Sequence, residues 1–374
     1  MASLILIHNI AATENFTLPK SFEDGEVAEA VDFNNNFEAI RDEINSNAPW
    51  RNQDVVGVLH IDVNCNTDVN ALRKAYQANM DAPKLSFDIE GNCHAALFHI
   101  SSTNNEGVVS WVEVQPMNKV VVFKSKVEGT PFRLIPMDVD GREISQLYAS
   151  FGSGYYFQDA IIQLGADDLY GVLFSRNSNG GLMRSKVIGK GKDSIGIVIQ
   201  YGASAYLTDV QVSEVSAGVY LRQAGSLRTY ELEADASSYG LFVRNGGMIE
   251  SRGGLKLIAP SAIKMYGGTL VASVESVIGS ISLLSASVEL TYDNPEGIFD
   301  SDVSVNHSNL TIVTDPTLTN ANNLPSLTET VLNSRFSCDG LSFLEIDSLV
   351  VTNQGNNGCI DNLRWNDVIK ASVP

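Results

Sequence analysis

The sequence predicts an all-β protein whose chain winds into a parallel β-helix, and three observations predict it. Gly171, Gly196, Gly218 and Gly240 recur at spacings of 25, 22 and 22 residues, and Ala262 follows 22 later. A second small-residue position recurs at Gly202, Gly225, Gly247 and Gly268. Between them, apolar residues alternate with a period of two, as in "GVYLRQAGSLRTYELEAD", which is the signature of strands. A unit of about 22 residues made of short strands and turns reads as one coil of a solenoid. Leucine-rich repeats share the period but need a fixed Leu/Asn register, which is absent. Stacked coils set equivalent residues in columns about 4.8 Å apart.

The 374 residues leave room for a large core and about two or three domains. Apolar residues make up 44% and charged ones 18%, which is not the balance of a disordered chain. A formal charge of −19 argues against nucleic acid as a partner and against docking on anionic membranes. The opening "MASLILIHNI" lacks a basic region and has only a short apolar run. It reads as neither a signal peptide nor a membrane span, so no membrane insertion is expected. No Gly-rich phosphate loop, nucleophile elbow or clustered His with acidic residues occurs, so no cofactor or metal is called for. Four cysteines form two local pairs, Cys65 with Cys93 and Cys338 with Cys359. Their separations are near one repeat length, so each pair either bonds across neighbouring coils or stays as reduced buried thiols.

After a lead without clear period comes "SFEDGEVAEAVDFNNNFEAIRDEINSN". Ala30, Phe33, Phe37, Ile40 and Ile44 are spaced 3, 4, 3, 4, the seam of a coiled coil. Acidic residues in its first turns suit the helix dipole. Two heptads are marginal alone, so this helix either forms where other contacts hold chains together or lies on its own domain. From Leu59 to Cys93 the pattern is strand, amphipathic helix, strand, with Asn66 or Thr67 as N-cap and Pro83 past the helix end. Such a unit covers the open end of a stacked sheet. Alternating runs fill 95–165, the clear coils run from 171 to about 280, and weaker strands continue to 313. "TDPTLTNANNLPSLTET" reads as a loop or linker. The β-rich segment 331–374 is either a small terminal domain or the last coils with a cap.

The expected faces follow from strand alternation. Ile197 and Ile199, Val219 and Leu221, Leu241 and Val243, Ile263 and Met265 point inward. Leu173, Val198, Tyr220, Phe242 and Lys264 then form an outward column. An apolar stripe four rungs long is unusual on a soluble monomer. Either a subunit interface covers it, or Tyr220 and Phe242 form a platform for stacking sugars. On the second strand Glu231, Glu233 and Asp235 point out, beside Asp209, Gln211 and Ser213 one coil back. Arg184 and Lys186 lie two coils back, and Lys256 one coil forward. Asp209, Glu231 and Glu233 are the candidate carboxylates for glycosidic cleavage. The same residues with Arg184, Lys186 and Lys256 equally make a salt-bridged surface, or a set of ligands for an anionic glycan.

The residues Phe22, Asp24, Gly25, Ala30, Asn34, Asn36 and Phe37 match a pattern F-x-D-G-x-x-x-x-A-x-x-x-N-x-N-F. That stretch resembles the short N-terminal helix of bacteriophage tail and fibre proteins. With a capped coil array over about 55–313 behind it, the chain looks like a phage tailspike. The resemblance implies a homotrimer of right-handed parallel β-helices on the virion, most simply on the tail, assembled in the host cytoplasm. Residues 1–50 would bind phage tail or adaptor proteins, and the coils would face a host surface glycan. Many such proteins cleave or deacetylate polysaccharide, and others only bind it. No catalytic signature of a tailspike hydrolase or a pectate lyase falls on a numbered residue here. The resemblance thus implies an attachment protein, with a polysaccharide depolymerase on the same fold or a purely structural capsid fibre as alternatives.

Overall fold

The computed structural model describes residues 58–353, apart from short internal stretches. The coiled-coil seam, the phage-like motif and Cys359 lie outside the described residues. What is described is a parallel β-solenoid with one short helix, Ala71–Ala78. Each coil has three strands, so three parallel ladders run along the axis.

The first ladder stacks Leu59–Asn64, Lys84–Glu90, Val120–Ser125 and Gly154–Gln158 in register. It continues through residues 179–183, 204–208, 226–230 and 248–251. The second begins with Asn92–His94, Phe132–Ile135 and Ala160–Gln163, then takes 186–188, 210–212 and 232–235. The third runs from Leu147–Ala149 through Tyr170–Phe174, Ile195–Gln200, 217–222 and 239–244 to 261–266. Alternation alone gives two strands per coil. The ladder through 204–208 and 226–230 is the strand it merges with its neighbour.

The parallel register holds because every coil meets the next with the same residue types. Ile197, Ile199, Val219, Leu221, Leu241, Val243, Ile263 and Met265 are all buried in one apolar core, as alternation predicts. Near the N-terminal end the core is aromatic. Phe87, Phe123 and Phe157 occupy one column, with ring centroids 5.7 Å and 4.9 Å apart. The glycine positions have a steric reason. A Cβ on Gly171 would come within 2.5 Å of the Gly196 carbonyl oxygen, and one on Gly240 within 2.7 Å of that of Ala262. The second small column holds Ala203, Gly225, Gly247 and Gly268. Gly202 lies one residue before it, in a left-handed turn with φ of 73°.

The helix packs Leu72 and Tyr76 into the core at the first described coils, and the Tyr76 hydroxyl lies 3.3 Å from that of Tyr155. The N-cap is Asn70, not Asn66 or Thr67. The Asn70 backbone N–H donates instead to the Asp68 carboxylate at 3.0 Å, which also pairs with Lys74. Asn66 is drawn across the rung to Glu90, at 3.0 Å. Cys65 and Cys93 form a disulfide beside this helix, with Cα atoms 5.3 Å apart, so this pair takes the oxidised alternative.

Two hairpins leave the coils, His99–Thr103 with Val109–Val112 and Met137–Val139 with Arg142–Ile144. At the far end Ser326–Thr330 adds a parallel strand to Asp302–Asn306, although sequence reads it as linker. Ser334–Cys338 adds another, then pairs antiparallel with Ser342–Ile346, which pairs with Val350–Asn353. A short meander therefore follows the last parallel rungs.

One buried carboxylate ties the hairpin region to the coil. Asp168 accepts from the Ser145 N–H at 2.7 Å, the Ser145 hydroxyl at 2.5 Å and the Gly165 N–H at 2.6 Å. Ser145 and Asp168 are both buried. Asp168→Ala should therefore strand three donors and cost about 2–3 kcal/mol. An unchanged urea midpoint for that variant would refute the assignment.

Candidate functional site

The outward column of the third ladder is where the structure departs most from expectation. Leu173, Val198, Tyr220, Phe242 and Lys264 do fall on consecutive rungs. But Leu173 is only 5% exposed, Val198 0% and Tyr220 9%, all within the single chain. They form a second apolar cluster, with Tyr170, Ile195 and Phe242 packed against it. Three of the five residues are already covered, so the apolarity of the stripe by itself does not require a second subunit. Stacked rungs bring like side chains into contact at rung spacing, and the flanking Tyr170 and Ile195 close over them.

The stripe emerges into solvent towards the C-terminal rungs, as an aromatic and cationic surface. Tyr220 and Phe242 stack with centroids 4.8 Å apart and planes 9° from parallel. Tyr239 stacks on Phe242 at 5.0 Å, and Tyr266 meets it edge-on at 6.0 Å. Tyr266 is 37% exposed, and Tyr201, in the turn after the strand, 46%. The Arg222 guanidinium lies 5.6 Å from the Tyr220 ring and 5.9 Å from that of Tyr201. The Lys264 ammonium lies 5.1 Å from the Tyr239 ring and 5.5 Å from that of Tyr266. Such geometry is that of cation–π pairs. Hydrogen bonding to Tyr266 pushes the Lys264 pKa up, so its charge is secure at neutral pH. Arg222 is aimed by Gln200, whose side-chain oxygen accepts from Nε, while the Gln200 amide donates to Ser175 at 3.2 Å.

Of this set, alternation identifies Tyr220, Phe242 and Lys264. It passes over Tyr239, Tyr266, Arg222 and Tyr201. Tyr266 shares a column with Arg222 and Arg244, so reading a second outward column at the same period would have found it.

The predicted carboxylates lie on another ladder. Gln211 faces Glu233, which faces Lys256, on three successive rungs. Lys256 pairs with Glu233 at 2.8 Å, and the Gln211 amide donates to it at 3.4 Å. The hydrogen bond to Glu233 raises the Lys256 pKa. Asp209 and Glu231 do not lie on a flat strand face. They are exposed and take left-handed backbone, with φ of 50° and 60°. Asp159, Arg184 and Gly254 adopt the same conformation, with φ of 54°, 45° and 68°. These residues turn the chain between the first and second ladders. Arg184 makes a two-point pair with Asp159, at 2.7 Å from both Nε and Nη2, and that hydrogen-bonded pair raises its pKa. Lys186 is exposed opposite Gln211. Arg184 at its corner and Lys186 and Lys256 on the second ladder thus lie on other parts of the coil than Tyr220 and Phe242 on the third.

Among the described residues no group of three or more His, Cys, Asp or Glu is placed to hold a metal ion. Nor is any helix there long and apolar enough to cross a membrane. Comparison with family models, with curated proteins and with solved structures finds no match to this chain.

Proposed function

We propose that the protein is an attachment solenoid of the bacteriophage tailspike kind, which binds a cell-surface polysaccharide through the aromatic face of its third ladder. The observation that carries this is the run of Tyr220, Phe242, Tyr239 and Tyr266, stacked or edge-on, rising from buried to exposed along the axis. Flat rings on a rigid support suit the C–H faces of sugars, and Tyr hydroxyls add hydrogen bonding at the rim. The N-terminal motif from Phe22 to Phe37 supports a virion setting, with residues 1–50 held by phage tail or adaptor proteins. Three chains would associate about one axis, as the heptad seam from Ala30 to Ile44 suggests.

Binding ranks ahead of cleavage because of what the carboxylates do. Glu233 is engaged by Lys256 and Gln211. Asp209 and Glu231 stand exposed at a corner, without the dry setting in which a carboxyl serves as general acid near neutral pH. The test is to pass purified protein over immobilised bacterial surface polysaccharides and assay the eluate for new reducing ends or unsaturated uronates. At least one glycan should be retained, Phe242→Ala should weaken retention at least tenfold, and no new ends should form. Light scattering should give the mass of three chains. Retention of no glycan overturns the attachment reading. New ends that disappear in Asp209→Asn or Glu231→Gln would establish the depolymerase instead.

A further inference from the structure

The third ladder sets cations beside its aromatic rings. Asp and Glu outnumber Lys and Arg by 44 to 25. Yet the five consecutive strands of the third ladder, Tyr170–Phe174, Ile195–Gln200, 217–222, 239–244 and 261–266, contain no Asp or Glu at all. They contain three cations, Arg222, Arg244 and Lys264. The first- and second-ladder strands of the same coils carry only Glu250, Glu233 and Asp235, with Asp209 and Glu231 at the corners between them. Just before the third-ladder strands in sequence lie Asp168, Asp193 and Glu214. The third-ladder strands thus present positive charge with no carboxylate among them, on a chain that is strongly acidic overall.

We infer that the sugar bound on this face carries a carboxylate. The inference rests on the attachment reading and names its ligand as an acidic glycan, built from uronic or nonulosonic residues. The geometry fits one. Phe242 lies one rung beyond Tyr220, and Lys264 one rung beyond Phe242. The platform therefore spans about 10 Å along the axis, with Arg222 over its first ring and Lys264 at its last rung. Sugar rings lie on the aromatic groups while the carboxylates meet the guanidinium and the ammonium. A planar guanidinium can take a carboxylate with two parallel hydrogen bonds. Gln200 and Tyr266 hold the two cations in place before the ligand arrives. A neutral glycan would need the rings but would gain no ion pair from Arg222 and Lys264.

The experiment compares each acidic glycan with its own carboxyl-reduced form, which keeps the ring and loses the charge. Immobilised oligogalacturonate, alginate oligomers, hyaluronate and polysialate, each beside its reduced counterpart and beside dextran, are probed with the full chain. At least one acidic member should bind at least tenfold more tightly than its reduced form, and less so as salt is raised. Arg222→Gln and Lys264→Gln should each remove about tenfold of that binding, and Lys264→Arg should restore most of it. Arg228→Gln, a charge change on the first ladder, should leave it unchanged. Equal binding of acidic and reduced forms overturns the inference and leaves attachment standing, as does capture of a neutral glycan alone. Capture of nothing overturns both. Loss of three-chain mass in Lys264→Gln would make this face a subunit contact, and would also overturn the inference.

Discussion

Replacing Gly218 by valine should cost at least about 3 kcal/mol, the range in which over-packing forces backbone apart. The first added carbon would lie 2.6 Å from the Ala234 Cβ and 2.8 Å from the Gly240 carbonyl oxygen. Neither can withdraw cheaply. Ala234 is buried in the core, and Gly240 is backbone in the adjoining rung. The same contact recurs at Gly196, whose Cβ would lie 2.9 Å from the Gly218 carbonyl oxygen. A displacement at one rung therefore presses on its neighbour. Gly246→Ala makes the comparison, because nothing lies within 4 Å of that site and its φ of 84° leaves only backbone strain. That variant should cost about 1 kcal/mol. Urea unfolding of the two proteins measures the difference, and equal midpoints would mean that the glycine column has no steric role.

These contacts also explain how much of the fold could be read from sequence. Gly171, Gly196, Gly218 and Gly240 recur because one close approach recurs in every coil, and a steric rule repeated at fixed spacing leaves a visible period. The inward residues were legible for the same reason. The corners were not. Asp159, Arg184, Asp209 and Glu231 turn the chain with positive φ, a task for which glycine is the usual mark. Only Gly254 carries that mark, so four corners read as uninterrupted strand and the three-sided coil read as two-sided. Misplacing those corners put Asp209 and Glu231 on a flat face with Glu233. The cover over Leu173 and Val198 was hidden for another reason. Alternation tells which way a side chain points, but not whether Tyr170 and Ile195 close over it.

The site was legible in part. Tyr220 and Phe242 lie one period apart at matching positions, which column logic captures directly. Arg222 and Tyr266 lie in an adjacent column with Arg244, which keeps the same period but is polar rather than apolar, so a search for apolar columns passes it by. The absence of acidic residues from this face could be seen only once its strands were delimited. Period reports what the stack demands of every coil. The proposed binding face rests on the few rungs that depart from it.

Val198→Asp should be the most damaging single change on the outside of the coil, costing about 4 kcal/mol. Val198 has no exposed surface and lies between Leu173 and Tyr220 on the neighbouring rungs. An introduced carboxylate there would lose its water and find only apolar partners in Leu173, Tyr220, Tyr170 and Ile195. Burial raises the pKa of such a group above its unfolded value. The folded state then binds the proton more tightly, and the destabilisation should grow as pH rises from about 4 to 8. Because the cover comes from the same chain, the loss should not depend on protein concentration. Phe242→Asp provides the contrast, since Phe242 is half-buried at the edge of the cluster where the face opens. If three chains meet there, its effect should diminish as concentration rises, by mass action. Denaturant curves for both variants at two concentrations and two pH values separate these cases. A Val198→Asp protein that gains stability with concentration would return the whole stripe to a subunit interface.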